Sequence, residues 1–426
     1  MRRRTGHPAI WHAGAAMIAA LSTAGAASAA GFQLRELSAD GVGSALAGAT
    51  SRADDLSTIY LNPAGMTRLG TGVQADLTYI APSITFSGSG AGPTGVAFSG
   101  GDGGNAGESV LVPALYGLWK ISPTLAAGIS LNVPFGLSTK YDEDWVGRYF
   151  ALESEIHNAV LTPSIAWKPT EQLSLGAGIQ IGRADATLSQ AINLSALGLP
   201  DAKTELTGDD ISYGFTLGAL YEFTPTSRIG LTYRSKIDYT LEGDAKFYDV
   251  PTGLAALIPT LNDTGAKAKV TTPDVLSLGA YHEFSPKWSG MAEASWTNWS
   301  TFKELRVSFD DGRPDTVTPE NWEDSWFFSL GAEYRPWENH AFQFGIAYDQ
   351  SPVPDEDRTA RIPDADRYWA SLGYSYDFGV GRRLNLGYTH IFFDKVDLAE
   401  STDAGTLTGD YTGSADIVSA SVQFRF

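Results

Sequence analysis

Charged side chains inside otherwise apolar segments are the residues best placed to bind the polar end of a ligand. Alternation along one such segment predicts that Arg234, Lys236 and Asp238 share the inward face of a strand. On a later strand, Arg367 is predicted to face inward in the same way. These cations could hold a ligand headgroup, or they could pair with interior acids such as Asp349 and stabilise the wall. Both interpretations stay open at the level of sequence.

The other polar motifs do not predict catalysis or a metal site. Outside the first 29 residues the chain has four histidines, none of them in a nucleophile motif, and it contains no Gly-x-Ser-x-Gly. The lack of cysteine excludes a thiolate metal site. Acidic clusters at residues 142–144, 310–311 and 355–357 could bind divalent ions, but they lack calcium-loop spacing and are interpreted as solvated loop charge. We therefore predict no catalytic residue, no metal and no cofactor.

The first 29 residues have the pattern of a secretory signal peptide. Three arginines precede a short apolar run at residues 13–27, and Ala27-Ser28-Ala29 fits an A-x-A cleavage site. Neither this run nor any later stretch reaches the about 18 consecutive apolar residues of a membrane-spanning helix. Cleavage would make the formal net charge of −19 more negative by three, which disfavours nucleic acid as a partner.

Alternating apolar and polar residues predict β-strands along most of the chain after residue 71. In the clearest segment, residues 211–223, every second side chain is apolar and most of those between are small or polar. About fourteen such segments occur, with starts near Val73, Ser109, Leu125, Ile156, Gln172, Ile211, Ser227, Ala266, Trp288, Glu323, His340, Asp364, Arg383 and Thr412. The pattern predicts an all-β transmembrane barrel of about fourteen antiparallel strands, spanning the outer membrane of a Gram-negative bacterium many times.

The predicted connections alternate between tight turns, such as Ser122-Pro123, and long polar loops, such as residues 191–209. This asymmetry is typical of an outer-membrane barrel and gives no support to a soluble β-sandwich. The last strand ends on Phe426, a terminus of the kind that barrel-assembly machinery recognises. We expect a single chain to form the barrel as a monomer.

One long segment of the chain does not alternate. Residues 30–70 are rich in glycine and alanine and end in the turn Asn62-Pro63-Ala64-Gly65, where proline restricts the backbone. A barrel of about fourteen strands is wide enough to leak unless something fills it. We therefore predict an N-terminal hatch at residues 30–70 inside a barrel formed by residues 71–426.

The third predicted strand contains residues that conflict with continuous pairing. Pro134 has no N–H to donate, and Gly136 lets the backbone leave strand geometry. Because unpaired backbone groups are costly in lipid, we predict that the ladder breaks at residues 131–136, turns inward and opens a gap toward the neighbouring strand. The alternative is that Pro134 lies beyond the apolar band, at the outer end of the strand.

Over essentially its whole mature length, the chain resembles the outer-membrane long-chain fatty acid transporters of the FadL type. The motifs that carry the resemblance are Ala30-Gly31-Phe32-Gln33-Leu34, Asn62-Pro63-Ala64, Pro134-Phe135-Gly136-Leu137, Trp145-Val146-Gly147-Arg148-Tyr149, Leu231-Thr232-Tyr233-Arg234-Ser235, Asp349-Gln350-Ser351-Pro352 and Arg361-Ile362-Pro363-Asp364. The resemblance implies a hatch within a fourteen-stranded barrel, and passive passage of hydrophobic ligands that leave sideways into the membrane.

The resemblance also implies roles for particular residues. These are Phe32, Asn62, Pro63 and Ala64 for the hatch and its gating, and Asn132, Pro134, Phe135 and Gly136 for the lateral opening. Family members hold a fatty acid carboxylate partly with basic residues near the outer ends of strands five and ten, where this chain has residues 185–187 (Asp-Ala-Thr) and 323–324 (Glu-Asp). Related members take up aromatic hydrocarbons, which need no counter-charge.

The expected function is passive transport of hydrophobic small molecules across the outer membrane, with long-chain fatty acids as the ligand and aromatic hydrocarbons as the alternative. Membrane lipid and lipopolysaccharide are the expected surroundings. A gated hydrophilic porin and an outer-membrane lipid enzyme remain as alternatives from other classes. Sugar-driven liposome swelling would identify the first, and hydrolysis of phospholipid the second.

Overall fold

The computed structural model describes residues 30–426, so the predicted signal peptide at residues 1–29 lies outside the described part of the chain. The strands of this part are β1 Gly72–Ala91, β2 Val110–Ser122, β3 Leu125–Lys140, β4 Glu153–Trp167, β5 Leu173–Ile192, β6 Ala202–Thr224, β7 Ser227–Arg234, β8 Ile237–Tyr248, β9 Thr264–Thr272, β10 Val275–Ser285, β11 Trp288–Thr297, β12 Glu304–Phe309, β13 Thr316–Pro319, β14 Ser325–Trp337, β15 His340–Asp349, β16 Arg367–Gly379, β17 Arg382–Phe393, β18 Val396–Thr402 and β19 Gly405–Arg425.

The helices are short. They are α1 Ala39–Gly43, α2 Thr58–Leu61 and α3 Leu254–Leu257, with 3-10 helices at Pro63–Arg68, Ser195–Leu197, Pro259–Leu261, Trp299–Thr301 and Asp355–Asp357. Within residues 30–426, none of them is long and apolar enough to cross a membrane.

The strands form one closed antiparallel sheet. β1 pairs with β2 on one side and with β19 on the other, from Gly72↔Arg425 to Ala91↔Thr406. Five wall strands are interrupted, so that β7 continues as β8, β9 as β10, β11 as β12, β13 as β14 and β17 as β18. The strands of residues 30–426 therefore make fourteen wall strands, and the predicted all-β barrel is confirmed.

The wall has two different faces, as the alternation predicted. On β6, the side chains of Tyr213 and Leu217 point outward and are exposed, whereas Thr216 is buried on the inner face. An apolar outer face is stable because the surrounding solvent is hydrocarbon, and strand closure leaves no unpaired edge in lipid.

The connections at one end of the barrel are tight and most of those at the other end are long, as predicted; the exception is the two-residue turn between β18 and β19, where Thr402 pairs with Gly405. The predicted loop at residues 191–209 is wrong in its extent, because β5 runs to Ile192 and pairs there with Ala202 at the start of β6. This part of the wall carries polar side chains on both faces, including Thr204 and Glu205, so there was no apolar face to indicate a strand.

Residues 30–70, called here the N-terminal segment, are buried within the ring of strands, apart from a few partly exposed positions and the exposed Gly70. Ser38 Oγ accepts a hydrogen bond from Gly41 N at 3.0 Å and begins α1. Helix α1 contacts β16, β17 and β19, whereas the 3-10 helix Pro63–Arg68 contacts β4, β5 and β6. The segment therefore reaches from one side of the barrel interior to the other.

Candidate functional site

Asn62 ties the N-terminal segment to the wall. Its side chain is fully buried, and Nδ2 donates to the carbonyl oxygens of Thr50 at 2.7 Å and of Ala219 on β6 at 3.0 Å. Its Oδ1 accepts from Ala64 N at 3.1 Å, which begins the helix that starts with Pro63. One side chain thus joins three separate parts of the backbone.

Glycines of the wall face the N-terminal segment, several of them opposite one another in neighbouring strands. At each of these positions an added Cβ would crowd or overlap atoms of the segment. They are Gly128, Gly176, Gly218, Gly230, Gly279, Gly331, Gly345, Gly373 and Gly387. At Gly345, for example, the Cβ would overlap the Ser44 carbonyl, and at Gly176 it would overlap Ala64 N. The missing side chains let the backbone of the segment pack directly against the wall.

The start of the segment is held by a buried ionic network. Arg35 Nε lies 3.6 Å from Asp349 Oδ1, and Arg367 Nη1 lies 3.7 Å from Asp349 Oδ2. Arg367 also forms an ion pair with Asp364, whose Oδ2 accepts from Gly31 N at 3.0 Å. Arg367 faces inward as predicted, and pairing with interior acids is confirmed for it.

Phe32 lies in a group of buried aromatic rings. Its centroid is 5.9 Å from that of Phe135, 4.7 Å from Trp299, 5.9 Å from Phe302 and 5.7 Å from Trp322. Most of these pairs meet edge to face, which is a favourable arrangement for aromatic quadrupoles. These five residues are called the Phe32 cluster below.

The predicted interruption of the third strand is present. Pairing between β2 and β3 ends at Leu115↔Leu131, and the register between β3 and β4 shifts between Asn132 and Phe135. Both faces of β3 are buried from residue 132 to residue 139, so the strand turns inward here. Pro134 is therefore buried within β3, six residues before the strand ends at Lys140.

The N-terminal segment supplies the missing pairing at this break. Leu34 N donates to the Pro134 carbonyl at 2.8 Å, and Gly136 N donates to the Phe32 carbonyl at 2.8 Å. Deeper in the strand, Asn132 Nδ2 donates to the Tyr116 hydroxyl at 2.6 Å. The edge of β3 that no longer pairs with β2 is therefore bonded to residues 32–34, which are not part of the wall.

A cavity of about 60 Å³ lies between the N-terminal segment and the wall, next to Pro134. Its lining includes the apolar Leu34 and Phe327 and the cations Arg35 and Arg234. Glu293 also lines it, so the cavity combines apolar surface with groups of both charges, immediately beside the break in β3.

Of the three predicted headgroup residues, only Arg234 lines this cavity. Its guanidinium lies 3.6 Å from the ring centroid of Tyr60 and donates to the Tyr60 carbonyl at 2.5 Å. The prediction that Lys236 and Asp238 face inward is wrong, because they are exposed and their side chains lie 3.3 Å apart. β7 ends at Arg234 and β8 begins at Ile237, so the interruption shifts the alternation by one residue.

Sequence reasoning missed two charged residues of this region. Glu293, on β11, accepts hydrogen bonds from Thr50 N at 3.2 Å and from Thr50 Oγ1 at 2.8 Å. It could have been found, because it is an inward acid on an alternating strand. Arg35 could not, because the N-terminal segment has no period from which its direction follows.

Glu36 lies next to this network and is buried. Burial raises its pKa to about 7, and the nearby Asp349 carboxylate acts in the same direction, while hydrogen bonds from the backbone oppose the shift. One of these comes from Arg35 N at 2.9 Å. A proton on Glu36 avoids placing a second buried charge beside Asp349.

The histidines do not form a catalytic arrangement within residues 30–426. His282 Nδ1 lies 2.8 Å from Ser227 Oγ without a carboxylate partner, and His157 Nδ1 instead lies 3.0 Å from Asp185 Oδ2. In the same part of the chain, no three histidine or acidic side chains are grouped so that they could hold a metal ion.

Comparison with known proteins gives consistent matches along the chain. A family described as "Outer membrane protein transport protein (OMPP1/FadL/TodX)" matches residues 20–426. The "Long-chain fatty acid transport protein" of Escherichia coli O6:H1 is 27% identical, with 93% of this chain and 94% of the relative covered.

Two solved structures have a similar fold. A Pseudomonas aeruginosa FadL homologue has a TM-score of 0.88 at 29% identity, and the alignment covers 93% of this chain and 100% of the homologue. The Ralstonia pickettii toluene transporter TbuX has a TM-score of 0.66 at 20% identity, and the alignment covers 91% of this chain and 98% of the transporter.

Proposed function

Because this chain belongs to the OMPP1/FadL/TodX family of outer-membrane transport proteins, we propose that it carries long-chain fatty acids passively through the barrel and releases them sideways into the membrane. The chain is a multi-pass outer-membrane protein with hydrophobic ligands. We infer further that residues 1–29 are removed, that residues 30–70 act as a hatch, and that the barrel of residues 71–426 is inserted as a monomer by barrel-assembly machinery.

The pairing of the N-terminal segment with the broken strand β3 is the observation that carries the proposal. Two backbone hydrogen bonds of 2.8 Å close the gap, and both involve Phe32 or Leu34 of the segment. If these residues withdraw, the inward-turned backbone at Pro134 and Gly136 lines an opening between β2 and β3. The cavity of about 60 Å³ beside Pro134 has room for a few methylene groups at a time, and the withdrawal gives a ligand that passes there a short path to hydrocarbon.

The physical benefit comes from the position of the opening. Lipopolysaccharide presents a polar barrier to apolar solutes, whereas the hydrocarbon below it dissolves them. A route that receives the ligand inside the barrel and releases it through the wall avoids that polar layer. Since the ligand moves down its own gradient into lipid, the route requires no energy source.

The charge at the cavity supports a carboxylate ligand. Arg35 and Arg234 both line it, but Arg35 Nε already lies 3.6 Å from Asp349 Oδ1, whereas Arg234 Nε is buried without a hydrogen-bond partner among residues 30–426. A carboxylate oxygen could accept from the Arg234 guanidinium, while the acyl chain contacts Leu34 and Phe327. We propose Arg234 as the headgroup residue; Lys236 is exposed and Arg367 is already paired.

Aromatic hydrocarbons are the second candidate ligand. The Phe32 cluster supports them, because its rings could stack edge to face on an aromatic solute. Such a ligand needs no counter-charge, so neutralising Arg234 separates the two candidates.

The lateral route is tested by sealing the gap. Replacing Pro134 with threonine and Gly136 with valine restores a backbone donor and strand propensity, so that β3 can continue its ladder. We expect uptake of a labelled long-chain fatty acid by cells to fall at least tenfold, while binding of the ligand to the purified protein is kept.

The matched control is Pro163→Thr, at an outward-facing proline of β4, which should leave uptake unchanged. Unchanged uptake by the double variant, in a barrel whose third strand is shown to be continuous, would contradict lateral release. Sugar-driven swelling of liposomes would point to a porin instead, and hydrolysis of labelled phospholipid to an enzyme; we expect neither.

A further inference from the structure

The wall contains a second interruption, remote from β3. β6 pairs with β7 as far as Thr216↔Arg234, and it pairs with β8 again from Asp209↔Glu242. Between these points, residues 210–215 of β6 form no ladder pairs with residues 235–241, although β6 stays paired with β5 and residues 237–241 stay paired with β9. This unpaired stretch, bounded by pairing above and below, is called the β6–β8 window.

The β6–β8 window lies at the apolar outer surface of the wall. Ile211, Tyr213 and Phe215 face outward beside it, with 56%, 66% and 45% of their surfaces exposed. Below them on the same strand, Leu217 and Tyr221 continue the apolar face to the tight turns. Hydrocarbon therefore reaches the opening from outside.

Side chains replace the ladder at the two ends of the window. Ser235 N donates to the Phe215 carbonyl at 2.9 Å, and Phe215 N donates to Ser235 Oγ at 2.9 Å. At the outer end, the Asp210 carboxylate accepts from Ile211 N and from Thr240 N, both at 2.8 Å.

The middle of the window has no such replacement. In an antiparallel strand, every second residue directs its N–H and C=O toward the same neighbour, so Tyr213 points them toward β8 like Phe215. No ladder pair reaches Tyr213 from β8 within the described chain. Unpaired backbone groups facing lipid cost several kcal/mol, so an opening of this kind is tolerated where it leads to an interior cavity or is covered by protein.

Two side chains of β8 cover the window from inside. Tyr239 and Ile237 are buried, and each occupies a notch left by a wall glycine. An added Cβ on Gly182 would overlap the Tyr239 hydroxyl, and one on Gly214 would lie 2.8 Å from Ile237 Cγ1. The Tyr239 hydroxyl accepts from Asn158 Nδ2 at 2.8 Å. The Tyr239 ring, held by one hydrogen bond, and the Ile237 side chain therefore lie between the interior and the unpaired wall.

This ring also belongs to the interior that the proposed route uses. Asn158 is the partner of Phe135 in the ladder between β3 and β4. Tyr239 and Ile237 form one apolar cluster with Phe32 and Phe135. The β6–β8 window and the gap between β2 and β3 thus face the same apolar space from different sides.

We propose that the β6–β8 window is a second lateral port, closed by Tyr239, through which an acyl chain or other hydrocarbon passes between the barrel interior and the outer leaflet. The proposal rests on the proposed function and adds a second opening to it. When the Tyr239 ring turns away from Gly182, the interior meets hydrocarbon where the wall has no ladder. Both ports then serve the same ligand, and sealing one of them leaves residual uptake.

The test uses cysteines introduced into the full-length protein, which has none of its own. All variants carry the Pro134→Thr and Gly136→Val changes that seal the first gap, and they are reconstituted in vesicles containing lipopolysaccharide. Ile237→Cys places a thiol directly behind the window. Ile417→Cys is the matched control, because Ile417 is equally buried but lies behind continuous pairing of β19 with β1 and β17.

The reagent is pyrene maleimide dissolved in the bilayer, compared with a sulfonated maleimide in the water outside. We expect the apolar reagent to label Ile237→Cys at least tenfold faster than Ile417→Cys, and the sulfonated reagent to label neither. Adding Tyr239→Ala should accelerate labelling at residue 237 severalfold, and Tyr239→Phe, which loses only the bond to Asn158, should have a smaller effect. Equal rates at residues 237 and 417, or no acceleration by Tyr239→Ala, would overturn the port.

Fatty acid uptake separates the two proposals. If the proposed function fails, cells with the wild-type protein take up no labelled fatty acid beyond the background of cells lacking it. If only the second port fails, wild-type uptake persists while the two cysteines react alike. In cells with the sealed variant, Tyr239→Ala should raise the residual uptake at least threefold, and a value at the background level would count against the port.

Discussion

Replacing Asn62 with alanine should release the N-terminal segment without opening the wall. The change removes two hydrogen bonds to carbonyl oxygens, of Thr50 at 2.7 Å and of Ala219 at 3.0 Å, and one from Ala64 N at 3.1 Å. All three lie in a buried region, so water does not readily replace the lost partner. No ladder pair of the barrel involves Asn62, which leaves the strands as they are.

The expected magnitude follows from the three bonds. A typical intramolecular hydrogen bond contributes about 1 kcal/mol net, so the seated segment should lose about 3 kcal/mol relative to the released one. Since about 1.4 kcal/mol corresponds to a factor of ten, the released population should rise about 100-fold. Asn62→Asp should have a larger effect, because it keeps an acceptor for Ala64 N but turns a second oxygen toward the two carbonyls.

Hydrogen exchange of the backbone amides of residues 38–68 measures this release directly, and heat-modifiable electrophoretic mobility reports on the barrel. The matched control is Asn385→Ala, because Asn385 is also fully buried but donates to Ser421 Oγ of the wall at 2.9 Å, and none of the hydrogen bonds among residues 30–426 joins its side chain to the segment. We expect faster exchange and altered fatty acid uptake for Asn62→Ala alone. Wild-type exchange rates in a correctly inserted Asn62→Ala protein would refute the reasoning.

The other predictions address packing, ligand charge and pH. In Gly345→Ala the added Cβ would overlap the Ser44 carbonyl, so the free energy that holds the N-terminal segment in place should fall by about 1–3 kcal/mol, measured by the same hydrogen exchange. Gly117→Ala is the control, because the nearest atom to its added Cβ is 3.4 Å away and no such loss is expected. Arg234→Gln should weaken binding of a fatty acid about tenfold and leave binding of a neutral hydrocarbon unaffected, as measured by calorimetry. The control is Lys236→Gln, at an exposed position. Equal loss of affinity for both ligands would show that Arg234 stabilises the barrel and does not bind the headgroup. Because the pKa of Glu36 rises from 4.5 to about 7 on burial, seating is strongest below about pH 4.5 and weakens as the pH rises through about 7. Exchange of the segment followed against pH should show this trend, and Glu36→Gln should flatten it; an unchanged profile in that variant would exclude Glu36 as the cause.

Several features of the fold could be predicted because their causes are local. A strand between lipid and a small or polar interior must alternate, so residues 211–223 indicate a wall strand without reference to any other residue. Pro134 lacks a donor wherever it lies, and the ladder does break beside it. The non-alternating residues 30–70 could be recognised as something other than wall for the same reason.

Prediction failed where the local pattern was interrupted or absent. The break between Arg234 and Ile237 shifts the alternation by one residue. Lys236 therefore faces outward, although it lies two residues after the inward-facing Arg234 and an unbroken strand would turn it inward. The outer parts of β5 and β6 are polar on both faces, so a loop was predicted where residues 192 and 202 pair. A period of two reports the face of a residue only while the strand is continuous and its two sides differ.

The sequence by itself determined the barrel, its number of wall strands, the break in β3 and the existence of a segment to fill the interior. The tertiary structure alone decided which groups meet there: that Arg367 is neutralised by Asp349, that Gly345 packs on Ser44, and that Tyr239 covers an unpaired part of the wall. These contacts join residues far apart in the chain, and each depends on how the N-terminal segment or a bent strand is placed inside the closed ring. Alternation indicates only on which side of a strand a residue lies, so it cannot predict which residues of the segment and the wall meet inside the barrel.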